Sequence, residues 1–224
     1  MLGEPGEWRP CQRPARSSLE GEFCRLEPLD PVAHGSQLFE ASMAPGADQR
    51  FRYLFDAPQD RAGFDGWLKR AAATADPLFF AVIDVTSGRC EGRQSLMRIT
   101  PEHGVIEVGH ILWGPAIART RVATESLYLC ARYAFETLGY RRFEWKCDSR
   151  NEPSRRAAQR FGFTFEGIFR QHMVVKGHNR DTAWFAMVDG EWPEIKRGFE
   201  RWLAPANFDQ RGHQRATLEE WRKS

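Results

Sequence analysis

In Glu107-Val108-Gly109-His110 a glycine interrupts an apolar run, with a carboxylate and an imidazole close by. A glycine inside a strand costs stability and offers no side chain to pack. It marks a bulge, or a place where a ligand's backbone approaches closely. Glu107 and His110 are the proton-handling groups of this stretch. Downstream, Arg119-Thr120-Arg121-Val122-Ala123-Thr124 opens a helix. First-turn N–H groups with two guanidinium groups beside them make an anion site suited to a diphosphate. A second helix start, at residues 151–156, carries Asn151, Ser154, Arg155 and Arg156. From Arg141 to Arg160 there are seven basic residues against three acidic ones. For any one of these arginines the alternative reading is a solvated helix face.

The elements that must position these groups follow from pattern. Residues 26–29 read as a short strand, Pro31–Met43 as a helix opened by proline, and 60–75 as a second helix. Residues 78–85 form an apolar run ended by Ser87-Gly88, hence a buried strand. Residues 95–100 and Val105–Trp113 follow as strands around a turn at Pro101-Glu102-His103-Gly104. Leu127, Cys130, Ala131, Ala134 and Leu138 make the stripe of a core-facing helix that stops at Gly139. Arg142–Asp148 alternates: Phe143, Trp145 and Cys147 on one face, charged residues on the other. That is the pattern of a half-buried strand. Asn151-Glu152-Pro153 opens a helix that ends at Gly162. Residues 163–169 and 182–188 read as paired strands and 191–203 as a last helix. The fold class is therefore α+β with one mixed sheet.

Composition bounds the rest. The chain has 224 residues, 32 Lys+Arg against 30 Asp+Glu, 42% hydrophobic and 12% aromatic residues. This excludes a histone-like or acidic-tail protein, and it is too apolar for disorder. No apolar run approaches ~18 residues, so no membrane span is expected. Residues 1–16 lack the apolar core of a secretory signal. Cys11, Cys24, Cys90, Cys130 and Cys147 form no C-x-x-C pair. Reduced cytoplasmic thiols are expected, with no zinc site. Residues 1–22 read as a polar arm, 23–204 as one domain, and 205–224 as a polar tail anchored by Leu218 and Trp221.

Strand, helix, strand, helix with anion sites at both helix starts resembles the GNAT superfamily of acyl-CoA-dependent N-acetyltransferases, especially its RimJ/RimL-like branch. The resemblance covers roughly residues 22–190. It is carried by Ile106-Glu107-Val108-Gly109-His110-Ile111-Leu112, by residues 119–125, by Asn151-Glu152-Pro153-Ser154 leading to Arg160-Phe161-Gly162-Phe163, by residues 165–170, and by Gly177-His178-Asn179-Arg180-Asp181-Thr182-Ala183-Trp184-Phe185. It implies an acyl-CoA N-acyltransferase (GNAT) fold, a mixed, splayed sheet of about seven strands flanked by helices. It also implies acetyl-CoA as cosubstrate. In such a fold the bulged strand splays from Arg142–Asp148 and pantetheine lies in the gap. Backbone groups around His110, Ile111 and Leu112 would pair with the pantetheine amides. Residues 118–124, with Arg119, Thr120, Arg121, Val122, Ala123 and Thr124, would cradle the pyrophosphate. Asn151 would bond the pantetheine arm, and Ser154 would stand near the sulfur. Two departures stand out. Arg121 occupies a position usually held by glycine, as in a subset of the RimL-like branch. Ala158 stands where many members carry a tyrosine acid, with Ser154 as the substitute.

An alkyl ammonium must lose a proton before it attacks a thioester; its pKa is about 8 for an α-amine and about 10.4 for lysine. Glu107 is the first candidate base, the alternative being an ion-paired strand glutamate. His110 could relay a proton, or serve as a structural hydrogen-bonded histidine. His172 is a third candidate. Glu166 is expected to fix a strand end, and Trp113 and Trp145 to pack in the core. Cys147 is expected to be buried and inert. A backbone N–H near Ile111 would hold the oxyanion. Phe51, Tyr53, Phe55 and Trp67 are pocket walls or core. The expected function is direct acetyl transfer to a primary amine: a protein N-terminus, a lysine or a small molecule. A non-catalytic acetyl-CoA-binding module is the rival. Nucleic-acid binding is not expected at a net charge of +2 with no recognisable motif. The chain is expected to act as a monomer or homodimer.

Overall fold

Strand β3 (Leu78–Asp84) is apolar without alternation because both of its faces are covered. Leu78, Phe80 and Val82 point into one hydrophobic cluster. Phe79, Ala81 and Ile83 point into the other, with Leu38, Phe64 and Leu68. The computed structural model describes residues 9–223. The part of the expected arm at residues 1–8 lies outside them.

One eight-stranded sheet forms the centre, ordered β1-β2-β3-β4-β5-β6-β8-β7. Its strands are β1 (Leu19–Glu20), β2 (Cys24–Pro28), β3, β4 (Cys90–Thr100), β5 (Val105–Trp113), β6 (Arg142–Asp148), β7 (Thr164–Val175) and β8 (His178–Val188). Among the described residues only β5 and β6 are parallel neighbours; every other pair is antiparallel. The expected count of about seven is exceeded by β1, a two-residue strand inside the arm.

The second cluster packs α1 (Pro31–Met43) and α3 (Arg61–Ala73) on one face of the sheet. The first packs α4 (Arg121–Arg132), α5 (Glu152–Phe161) and α6 (Trp192–Leu203) on the other. Asp30 Oδ1 accepts from the N–H groups of Val32 and Ala33, capping α1 ahead of Pro31. Asp60 Oδ1 caps α3 through Gly63 N–H. The α4 stripe buries Leu127, Cys130, Ala131 and Ala134 as expected, and the helix continues into a π-helical turn over Tyr133–Thr137. A short α2 (Ala47–Phe51) was not read from sequence.

The hairpin of β7 and β8 is longer than the expected 163–169 and 182–188. It runs on to a two-residue turn in which Lys176 and Gly177 both have positive φ, 50° and 77°. That is the backbone of a type I′ hairpin, for which glycine at the second position is suited. The charged face of β6 is also not solvated. Glu144 and Asp148 are each 5% exposed. The strand lies between β5 and β8, so its polar side chains pair with one another instead of with water.

The described part of the arm and the tail lie against the domain. Cys11 N–H donates to Pro101 O and Ala15 N–H to Tyr133 Oη. The buried Glu125 accepts from three N–H groups, those of Glu22, Phe23 and Cys24. In the tail, α7 (Leu218–Lys223) buries Leu218, and Arg222 donates to Arg160 O. All five cysteines are free. Among the described residues no helix is long and apolar enough to cross a membrane. None of their His, Cys, Asp and Glu side chains form a group able to hold a metal.

Candidate active site

The site begins where two parallel strands part. β5 and β6 pair from Val105 opposite Arg142 to Val108 opposite Trp145, and no further. Beyond Val108, β5 stays paired with β4 alone. Ser95 faces Gly109 and Arg93 faces Leu112, so β5 carries one extra residue at this point. The bulge falls at His110, whose φ is 50°. Gly109 itself is not in the left-handed region. A Cβ there would lie 2.3 Å from Met97 Sδ, so close packing is what excludes a side chain. The sequence signal was right about a bulge, but the residue that turns is His110.

A cleft of about 520 Å³ fills the gap. Its walls bring together Glu107, His110, Ile111, Leu112, Asn151 and Ser154 from separate stretches of chain. Tyr53 and Phe55 close one side. Phe51 is core, and Trp67 packs in the second cluster. Cys147 is buried as expected, and burial pushes its thiol pKa up, yet it also forms part of the wall. Trp113 and Trp145 likewise belong to both core and wall.

Glu107 is 3% exposed. Arg98 Nη1 at 2.9 Å and Lys146 Nζ at 3.0 Å both contact its Oε2. Oε1 has no partner among the described residues. Burial raises the Glu107 pKa, with Lys146 and Arg98 opposing. Lys146 also reaches Glu144 at 2.6 Å, and Arg142 joins Glu144 to Glu166. Glu166 therefore ties down the start of β7, as expected.

The His110 ring lies between Phe79, 5.1 Å away, and Phe55, 5.6 Å away. Burial, with the Arg93 charge, lowers its pKa to about 4, so the ring is neutral at pH 7. His172 is not in the cleft wall; its Nδ1 lies 2.9 Å from Thr182 Oγ1.

Asn151 caps α5 by accepting Ser154 N–H on Oδ1 at 3.2 Å, which leaves its Nδ2 donors for another partner. Ser154 Oγ accepts from Trp145 Nε1 at 3.0 Å. Ala158 is fully buried on the same helix.

The loop into α4 is shaped by its own threonines. Thr120 donates its hydroxyl to Ile117 O at 2.7 Å, and Thr124 donates both N–H and hydroxyl to Thr120 O. Both hydroxyls are turned inward to shape the loop, and Thr124 is 2% exposed. Among the described residues no side chain caps α4. The N–H groups of Arg121, Val122 and Ala123 are thus the open first-turn donors. Arg119 adopts φ 65° to make the turn. Arg121 stacks between Phe23 at 4.4 Å and Phe208 at 4.7 Å, tying the tail and the segment just after the arm to the helix start. At the second helix start, Arg155 and Arg156 pair with Glu152. Arg160 is stacked on Trp202. The positive excess read from sequence is therefore partly neutralised.

Arg98, Lys146 and Arg180 line the cleft and were not read as site residues. A signal existed: Lys146 faces Trp184 across the β6–β8 ladder, and the period of two carries that face to Thr182 and Arg180.

An acetyl-CoA molecule fits this donor set. The free edge of β5 offers backbone groups, Asn151 offers Nδ2, and the uncapped α4 start offers N–H groups to an anion. Residues 29–164 match the family model of the acetyltransferase (GNAT) domain. The crystal structure of a GCN5-related N-acetyltransferase from Brucella melitensis superposes with a TM-score of 0.96 at 56% identity, covering 97% of this chain and 99% of that one. The uncharacterised N-acetyltransferase p20 of Bacillus licheniformis is 26% identical over 117 residues; the match spans 50% of this chain and 63% of that relative's length. RimL, a ribosomal alpha-N-protein acetyltransferase, shares the fold at a TM-score of 0.66 and 20% identity, over 77% of this chain and 94% of its own. Splayed strands, an uncapped helix start and these matches agree, and the chain belongs to the GNAT family of acetyltransferases.

Proposed function

We propose that the protein transfers an acetyl group from acetyl-CoA directly to a primary amine, with no acyl-enzyme intermediate. The observation that carries this is the end of β5–β6 pairing at Val108, which frees a strand edge opposite Asn151 and Ser154. Acetyl-CoA supplies the activated acyl thioester.

The residues then divide the work. Ile111 and Leu112 offer backbone groups, and Asn151 its amide, to hold the pantetheine arm. The N–H groups of Arg121, Val122 and Ala123 hold the pyrophosphate. Glu107 accepts the amine proton through Oε1, directly or through water. Its raised pKa narrows the gap to an ammonium. The cations Arg98 and Lys146 favour the neutral amine over the ammonium. His110 is neutral and a weak base, so it orients groups and does not carry the proton. The N–H near Ile111 stabilises the oxyanion. Ser154 donates a hydrogen bond to the departing thiolate, which takes its proton from water.

The rival, a non-catalytic acetyl-CoA-binding module, draws support from Ala158, a buried methyl where a tyrosine acid is common in relatives. Thiol release from acetyl-CoA with a panel of amines separates the two. Amine-dependent release is expected. Binding of CoA with no release above hydrolysis overturns the enzyme reading.

A further inference from the structure

Arg180 sits on β8 where the active-site cleft meets a second cavity of about 370 Å³. The two cavities share Arg52, Tyr53 and Arg180 as walls. Arg180 is 6% exposed. Its guanidinium has neither an ion pair nor a hydrogen bond among the described residues, and its Nε is buried without a partner. Its Cζ lies 5.1 Å over the ring of Phe55. A buried cation with no direct partner is costly, and arginine in such places is ordinarily paired.

The nearby carboxylates are already engaged. Among the described residues, Glu107 and Asp148 are the only acidic side chains on the walls of the two cavities. Glu107 holds Arg98 and Lys146. Asp148 holds Arg150 through Nε at 3.1 Å and Nη2 at 3.0 Å, and also accepts the Arg150 N–H. Asp148 and Glu107 act on Arg180 only at a distance, so its guanidinium is left without a directly bonded counter-charge among the described residues. Arg52 and Lys176 add further positive charge around the second cavity, where Lys176 Nζ donates to Phe51 O. A polycationic acceptor would meet the wrong field there.

We infer that the acceptor carries a carboxylate besides its amine, and that Arg180 binds this carboxylate while the amine lies in the cleft near Glu107. A planar guanidinium matches a carboxylate with two parallel N–H···O bonds and so also fixes the orientation of the amine. This rests on the acetyltransferase reading and adds the class of its acceptor. Arg180 is here a specificity residue. Burial lowers its pKa, and an incoming carboxylate would relieve that penalty.

The test uses the full chain with acetyl-CoA. One arm is a series of ω-amino acids of increasing length, each against its carboxamide. The other is short peptides with Asp or Asn after the N-terminal residue. Thiol release gives kcat/KM, and calorimetry with CoA already bound gives acceptor affinity. In one arm or the other, the acid is expected to be preferred about tenfold to a hundredfold, as for a hydrogen-bonded charged group. In Arg180→Gln that preference should collapse towards unity, and Arg180→Lys should keep part of it. Acetyl-CoA binding checks that each variant is folded. Equal use of acid and amide by the wild type, or no binding of any acid, overturns the inference and leaves the acetyltransferase reading standing. Acids that bind through Arg180 while no amine releases thiol would keep Arg180 as a carboxylate site and overturn the acetyltransferase reading, and the acceptor assignment with it.

Discussion

Trp145 Nε1 donates to Ser154 Oγ at 3.0 Å across the floor of the cleft. Indole is a donor only, so it occupies a serine lone pair and leaves the hydroxyl hydrogen to the neighbouring Cys147 sulfur or to a thiolate in the cleft. A serine held in this way can hydrogen-bond a departing thiolate. Ser154→Ala should lower kcat about 10²-fold, with little change in acetyl-CoA binding. Trp145→Phe should lower kcat less, because the hydroxyl stays but loses its orienting partner. Steady-state kinetics on both variants, with binding by calorimetry, checks this.

Asn151 serves the helix with one atom and the proposed cosubstrate with another. Asn151→Ala removes the cap, at about 1 kcal/mol. For a chain of this length that lowers the melting temperature by about 2–4 °C. Asn151→Asp keeps an acceptor for Ser154 N–H but has no amide donor. Both variants should bind acetyl-CoA more weakly, whereas only Asn151→Ala should melt lower. Thermal unfolding and a binding isotherm on each separate the two roles.

Glu107 has its pKa raised by burial. As the base it must be ionised, so kcat/KM should rise with pH through a limb above the ordinary carboxylate range. Glu107→Gln should remove that limb and lower the rate about 10²-fold or more. A pH profile of unchanged shape and rate in Glu107→Gln would remove Glu107 from this role.

His110 titrates at about 4 in the folded chain, against about 6.5 when unfolded. Between these values the unfolded state binds more protons, so stability falls as pH is lowered through the window and levels off below about 4. His110→Asn should remove this contribution without straining the bulge, because asparagine tolerates the left-handed backbone. Urea unfolding midpoints across that pH range, compared with the wild type, provide the check.

Much of this was legible in the sequence. The proline start of α1, the cap at Asn151 and the apolar run of β3 all follow from the sequence, because each is a local signal. The bulge was legible only as a neighbourhood. Gly109 announced it, but the turn falls on His110, since the space over Gly109 is taken by Met97 from another strand. The alternation of β6 gave the right faces and the wrong solvent exposure, because central placement in a sheet is a non-local fact. For the same reason Arg98 and Lys146 did not declare themselves as partners of Glu107. The proposed pyrophosphate loop reads from sequence as a unit, yet the Thr120 and Thr124 hydroxyls turn inward to build it. Which N–H groups stay open depends on hydrogen bonds that spacing does not reveal.

The central claim is direct acetyl transfer from the β5–β6 cleft to an amine, and mass spectrometry tests it most directly. The protein is incubated with acetyl-CoA and the acceptor panel, and both acceptor and protein are weighed. The account predicts one acetyl group on an acceptor amine, none retained on the protein, and product formed about 10²-fold more slowly in Ser154→Ala. An unmodified panel with CoA bound, or an acetyl group lodged on the protein itself, would contradict it.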